Sequence, residues 1–363
     1  MPDRRKILFI TPYPIGHAPS QRFRFEQYFE ALQSNQIEFS TQSFLTISNW
    51  RIFYGKGKSF HKGAAVVRGF WRRVVGLFDA WNADFVFIHR EASPIGPPVF
   101  EWIIARILRR SIIYDFDDAI WLTDNQEESA LIRTIKWRGK VSTICKMASR
   151  ISCGNKYLHA YATRFSGHAV LNPSTIDTTG LHNPDILTKT DKPKSEIVIG
   201  WTGSHSTIKY LNALEETLQW IEREHAHVRF MVIADKPPTL NLQRLTFIKW
   251  NQQNEVADLL KMDIGIMPLP DDDWSMGKCG FKILQYMALR IPSVSSPVGV
   301  NSEIVRSGEN GFLAVSQTEW IDFLSKLIND PVLRLRMGQN GRETVEGRYS
   351  VTSNTPTFLS LFE

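Results

Sequence analysis

At 363 residues, with 43% hydrophobic and 22% charged side chains, the chain has the composition of an ordinary globular protein and the length for two domains, each with its own core. A net charge of +6 and a pI near 9.1 suit an anionic substrate, an anionic membrane surface or nucleic acid, and select none of them. Cys145, Cys153 and Cys279 have no metal-ligand spacing and cannot all pair, which excludes a disulfide framework and fits a reducing, cytoplasmic setting.

The run ILFI after the basic start MPDRRK stops at Thr11-Pro12, too short for a signal peptide, and reads as a buried first strand; no run reaches membrane-spanning length. TPYPIGH continues it into a loop with Gly16 at its turn. Phe25, Phe29 and Leu32 then predict a helix, completing a strand–glycine loop–helix unit of nucleotide-binding type. Arg22 and Arg24 fall just inside that helix, where each either reaches a cleft or lies at the surface, the commoner place for a lone arginine. Val67, Phe70, Trp71, Val74, Val75, Phe78 and Trp81 form a helical stripe with Arg68, Arg72 and Arg73 off it; Arg51, Lys56, Lys58 and Lys62 precede it among aromatics. Such a helix either lies on an anionic membrane face or, as most do, packs its stripe on its own sheet, and packing is the expectation here.

Residues 83–89 are a further buried strand, followed by a loop opening with Arg90 and a helix over 99–108. Strand 111–114 ends in DFDDAIW. Acidic residues at the carboxyl end of a parallel strand lie where open α/β sheets bind ligands, so Asp115, Asp117 and Asp118 are candidate general bases or hydroxyl-positioning groups. Asp115-x-Asp117 also has metal-binding spacing, and an aspartate at a strand end commonly caps a helix. A helix over 136–151 and residues 171–175 close a first alternating β/α domain over 1–185, and 186–195, rich in Pro, Lys, Asp and Thr, reads as a linker.

A second alternating set fills 196–345, with strands at 196–200, 228–234, 247–250 and 264–267. Residues 263–301 read as strand, loop, helix, strand, the helix covering 281–290. The loop and first helical turn of such a unit offer N–H groups and partial positive charge to an anion. Gly277 and Gly280 permit close backbone approach, Lys278 and Lys282 add charge, and a helix starting near Gly280 puts Lys282 and Gln285 on one face. Gly203, Ser204 and Lys209 repeat the arrangement after the 196–200 strand, so two loops at one sheet edge converge on one anion. Phe312 is expected to return to the parallel sheet, and 349–362 shows no pattern before FLSLF.

The strings IGWTGSHSTIKYL, DIGIMPLPDDDW, GKCGFKILQYMALRIPSVSSPVGVNSEIV, ENGFLA and DPVLRLRMGQNGRETVEGRYS resemble the group 1 (GT4-like) glycosyltransferases of the GT-B fold, especially those of bacterial surface-polysaccharide synthesis. TPYPIG, YDFDDAIW and NPSTIDT match more loosely. The resemblance implies an α/β architecture of two Rossmann-like domains facing across a cleft. The C-terminal one binds a nucleotide-sugar, and the N-terminal one, with 346–363 crossing back, binds the acceptor. It puts the donor diphosphate on Gly203, Lys209 and Lys282, with Ser204, Lys278, Gly280, Phe281 and Gln285 around it, and Gly16, Arg22 and Arg90 on the acceptor side. An aspartate of the DFDD cluster, Asp117 by preference, takes the place of the family's acceptor-side histidine. The family's E-x7-E glutamates fall on Gly277 and Gln285. Glutamine still hydrogen-bonds ribose hydroxyls, whereas loss of the first glutamate leaves open the sugar and the stereochemical outcome, retention in the family. The implied reaction moves a sugar from a nucleoside-diphosphate sugar to a saccharide or lipid-linked hydroxyl, without cofactor or obligatory metal, in contact with the inner face of the membrane and without nucleic acid. Rival readings are a metal-dependent transferase using Asp115 and Asp117, and a non-catalytic partner subunit that keeps the fold and binds carbohydrate or another transferase.

Overall fold

A computed structural model describes residues 5–54, 59–123, 129–186 and 196–363; Lys56, Lys58 and all of the expected linker except Ile186 lie outside them. The chain divides into two compact units, residues 1–174 with 354–363, and residues 175–353.

In the N-terminal unit, β1 (Lys6–Thr11), β2 (Glu38–Ser43), β3 (Phe85–His89), β4 (Ser111–Phe116), β5 (Arg150–Cys153) and β6 (Ala169–Leu171) form a parallel sheet in the order β2-β1-β3-β4-β5-β6. The apolar runs of β1, β3 and β4 are buried almost throughout, as strands covered on both faces must be. The core is aromatic. Phe9 lies 5.3 Å from Phe25 and 5.0 Å from Phe87, and Phe358 from the end of the chain stacks on Tyr28 at 4.3 Å. The helix expected around Phe25 is broken into Pro19–Arg22, a 3-10 turn at Glu26–Tyr28 and Phe29–Ser34. That expected over 136–151 ends at Met147, because residues 150–153 pair with β4.

The Ser59–Trp81 helix overturns the packing expectation. Its buried face consists of Ala65, Gly69, Arg73, Gly76 and Ala80, while Trp71, Phe78 and Trp81 of the apolar stripe are 68%, 74% and 62% exposed. Close approach explains the inversion: a Cβ at Gly69 would lie 2.4 Å from the Phe44 ring, and one at Gly76 1.8 Å from Gln42. Arg73 donates to the carbonyls of Thr11, Gln42 and Ala92 at 2.6–2.8 Å, tying the helix to two strand ends and a loop.

In the C-terminal unit, β7 (Ile197–Thr202), β8 (Val228–Ala234), β9 (Leu245–Lys249), β10 (Ile264–Met267), β11 (Ser293–Ser295) and β12 (Phe312–Leu313) form a second parallel sheet, ordered β12-β11-β10-β7-β8-β9. The Phe281–Ala288 helix connects β10 to its parallel partner β11, the crossover read from the sequence. Gly265 leaves room for the Tyr286 ring, 2.4 Å from where a Cβ would stand. Arg342 of the Pro331–Arg348 helix donates to the carbonyls of Thr178, His182 and Ala288 at 2.6–2.7 Å. These bonds fasten residues 178–182 to the C-terminal unit, which is why the division falls at Ser174–Thr175 rather than near residue 185.

Candidate active site

Parallel sheets bind ligands beyond the carboxyl ends of their strands, where the strand order reverses. In the N-terminal unit that point lies between β1 and β3, where the Gly16 loop and Arg90 begin. Gly16 has φ +80°, and its N–H donates to Glu26 at 2.8 Å, so it shapes the loop rather than offering a donor. Arg22 is half-buried with its guanidinium 5.0 Å over the Phe23 ring.

Asp115 is fully buried, contrary to its reading as a general base. His89 on β3, Asp115 on β4 and Ser152 on β5 stand in register across three strands. Asp115 accepts from Ser152 Oγ at 2.6 Å, lies 2.7 Å from His89 Nδ1 and pairs with the Arg24 guanidinium. Burial pushes the Asp115 carboxyl up, but Arg24 and His89 outweigh it and hold the group well below the usual carboxylate range. Arg24 itself is 1% exposed, not a surface residue, and also donates to the Asn172 carbonyl. With both Asp115 oxygens engaged inside the protein, the Asp115-x-Asp117 metal pairing has no geometric support.

Asp117 and Asp118 lie beyond the strand end, 12% and 19% exposed, with Arg90 bridging them at 2.8 and 2.7 Å. Burial works against the Arg90 charge, but the two carboxylates hold the guanidinium above its ordinary value. Arg90 adopts φ +60°, the left-handed region that bulky residues rarely occupy. Its N–H donates to Asp115 O at 2.7 Å, and its carbonyl accepts from Tyr114 at 2.7 Å. Such over-determined strain is typical of functional positions. Residue-by-residue reading missed His89: among the described residues its buried Nε2 has no hydrogen-bond partner and lies 4.0 Å from Asp117 Oδ1. Only its place at a strand end opposite DFDD signalled it.

In the C-terminal unit the order reverses between β7 and β10, so the 203–207 loop and the 268–280 loop flank the switch point. Tyr286 bridges that point, its hydroxyl accepting from Thr202 N–H at 3.2 Å and donating to Ile266 O at 3.4 Å. Gly203 packs over Trp201, where a Cβ would lie 2.4 Å from the ring, and its N–H is spent on Ile233 O at 3.0 Å. Gly203 therefore supplies close approach, not the expected N–H donor. Ser204 Oγ meets Ser206 Oγ at 2.8 Å, and Asp235 holds the loop through His205, 2.6 Å from both its N–H and Nδ1.

Gly280, at φ +67°, starts the Phe281–Ala288 helix and fits against Ile304 and Asn301. Lys282 in the first turn lies 5.5 Å over the Trp201 ring, Lys278 lies 4.6 Å over Trp274, and exposed Lys209 lies 5.2 Å over Tyr210. Half-buried Phe281 occupies the first helical position. Gln285 is 6% exposed and approaches His182 Nε2 through Nε2 at 3.3 Å, so its amide serves an internal contact; as the donor there, it requires the His182 tautomer protonated at Nδ1. Two loops and a helix start therefore flank one switch point, with Lys209 following β7 and Lys282 following β10.

Fold and sites together define a two-domain α/β protein of the GT-B type. Residues 196–330, a little over a third of the chain, match the family described as glycosyl transferases group 1. Sucrose-phosphate synthase from Thermosynechococcus elongatus superimposes with a TM-score of 0.70 at 14% identity, covering 99% of this chain and 98% of that one. Anabaena HepE, solved with UDP and glucose, gives 0.65 at 14% identity over 98% and 99%, and a Rickettsia africae glycosyltransferase 0.66 at 11% over 99% and 98%. Among curated proteins none matches the chain in sequence.

Proposed function

We propose that the protein transfers a sugar from a nucleoside-diphosphate sugar to a hydroxyl of a saccharide or lipid-linked acceptor, on the cytoplasmic side of a membrane, in surface-polysaccharide synthesis. The observation that carries this reading is the pair of loops leaving β7 and β10 at one switch point, with Lys209 and Lys282 beside them, inside the segment that matches group 1 glycosyl transferases. Lys282, Lys209 and the N–H groups at the start of the Phe281–Ala288 helix stabilise charge on the departing diphosphate. The complex of HepE with UDP and glucose makes a UDP-sugar the first donor to try.

On the acceptor side Asp117, held by Arg90, orients the incoming hydroxyl. Asp115 acts one step back, fixing His89 behind it. Stabilisation of the leaving group by fixed cations needs no bound metal. Transfer is accordingly expected to persist in EDTA and to fall by about 10²–10⁴-fold in Asp117→Asn, read as nucleoside-diphosphate release. Undiminished turnover in Asp117→Asn contradicts the assignment, and loss in EDTA restored by a divalent ion favours the metal-dependent alternative.

A further inference from the structure

Most of the exposed large apolar side chains among the described residues lie in the N-terminal unit, and they are concentrated on and beside the Ser59–Trp81 helix. At 100° per residue, Val67, Trp71, Val74, Val75, Phe78 and Trp81 fall in one arc of that helix. Because the small residues Gly69 and Gly76 and the anchored Arg73 take the inward side, this arc faces solvent. No helix among the described residues is long and apolar enough to cross a membrane. The arc is continuous with a groove of about 450 Å³ in which Phe70 meets Val99, Ile135 and Trp137. An apolar patch of this breadth on a polar-rimmed surface marks an interaction site.

The rim identifies the occupant. Arg68 borders the arc on its own helix, and Arg106, Arg109 and Lys136 lie on or just after the neighbouring helices that carry exposed Trp102, Ile107 and Ile135; all four cations are exposed. The one exposed carboxylate among the described residues of these helices is Asp79. An apolar strip that contains tryptophans and has cations beside it matches the headgroup region of an anionic bilayer. A two-fold contact between copies would instead bring these like-charged rims together.

We propose that this face docks the N-terminal unit flat on an anionic lipid surface, with Trp71 and Phe78 entering the headgroup–acyl boundary and Arg68 meeting lipid phosphates. The proposal rests on the membrane-side reading given above but not on turnover. The test is co-sedimentation of the full chain with phosphatidylcholine vesicles, with and without phosphatidylglycerol. Wild type is expected to sediment with the anionic vesicles and not the neutral ones. Trp71→Ser/Phe78→Ser is expected to weaken binding at least about tenfold, Arg68→Glu to weaken it and reduce its salt dependence, and both to keep the wild-type circular dichroism and nucleotide-induced thermal shift. Absent binding, equal binding to neutral vesicles, or unchanged binding by the double variant overturns the proposal, as does a double variant that dissolves a dimer while still binding vesicles. The thermal shift, measured without lipid, reports separately on the donor site.

Discussion

Replacing Asp115 with alanine is expected to destabilise the N-terminal unit by about 3–5 kcal/mol, because it strands the buried Arg24 guanidinium without its counter-charge. The same change removes the acceptor for Ser152 and the partner of His89. The effect carries its own pH signature. The folded-state value of Asp115 is depressed, so its contribution is fully present above the unfolded value near 3.9 and is lost as pH falls through the folded one. Urea unfolding of wild type and Asp115→Ala should therefore show a gap that holds from about pH 8 to pH 5 and narrows below about pH 4. A gap under about 1 kcal/mol at neutral pH, or one that widens in acid, would mean that the ion pair contributes little.

Lys282→Ala is expected to lower kcat by about 10²–10³-fold with a smaller change in KM, the pattern for an interaction that strengthens as leaving-group charge develops. The side chain stands in the first turn after Gly280 and spans the Trp201 ring. Its removal should cost at most about 1 kcal/mol of stability, so the kinetic loss will not be a folding defect. Lys282→Arg keeps the charge but not the geometry and should recover only part of the rate. Steady-state kinetics beside urea unfolding separates these effects. A Lys282→Ala enzyme within a few-fold of wild type would remove this lysine from the donor site.

The β10–helix–β11 crossover was legible because residues 264–267 and 293–295 are buried throughout, which leaves unbroken apolar or small-residue runs in the sequence. β2 was not legible: EFSTQS is a mostly exposed edge strand with no apolar period, placed by pairing with β1. The DFDD cluster was legible as a group but not in its division of labour. β4 continues through Phe116, so Asp115 belongs to the buried sheet while Asp117 clears its end. The burial of Asp115 depends on Arg24, far away in sequence and carrying no local sign of its role. In the Ser59–Trp81 helix, periodicity revealed two faces but not which was inward; that was settled by the space glycines leave for Phe44 and Gln42. Gly203 shows the same limit, since a glycine at a loop start does not reveal that its N–H belongs to the sheet.

The most direct test of sugar-nucleotide binding is thermal unfolding of the protein with UDP, GDP, dTDP, CMP and NAD, each with and without Mg2+. One nucleoside diphosphate is expected to stabilise the native state by about 2.7 kcal/mol at roughly a hundred times its Kd, equally with and without the metal, and to lose that effect in Lys282→Ala. No shift with any nucleotide, or a shift with NAD alone, would contradict the donor site and leave the fold without the proposed transfer activity.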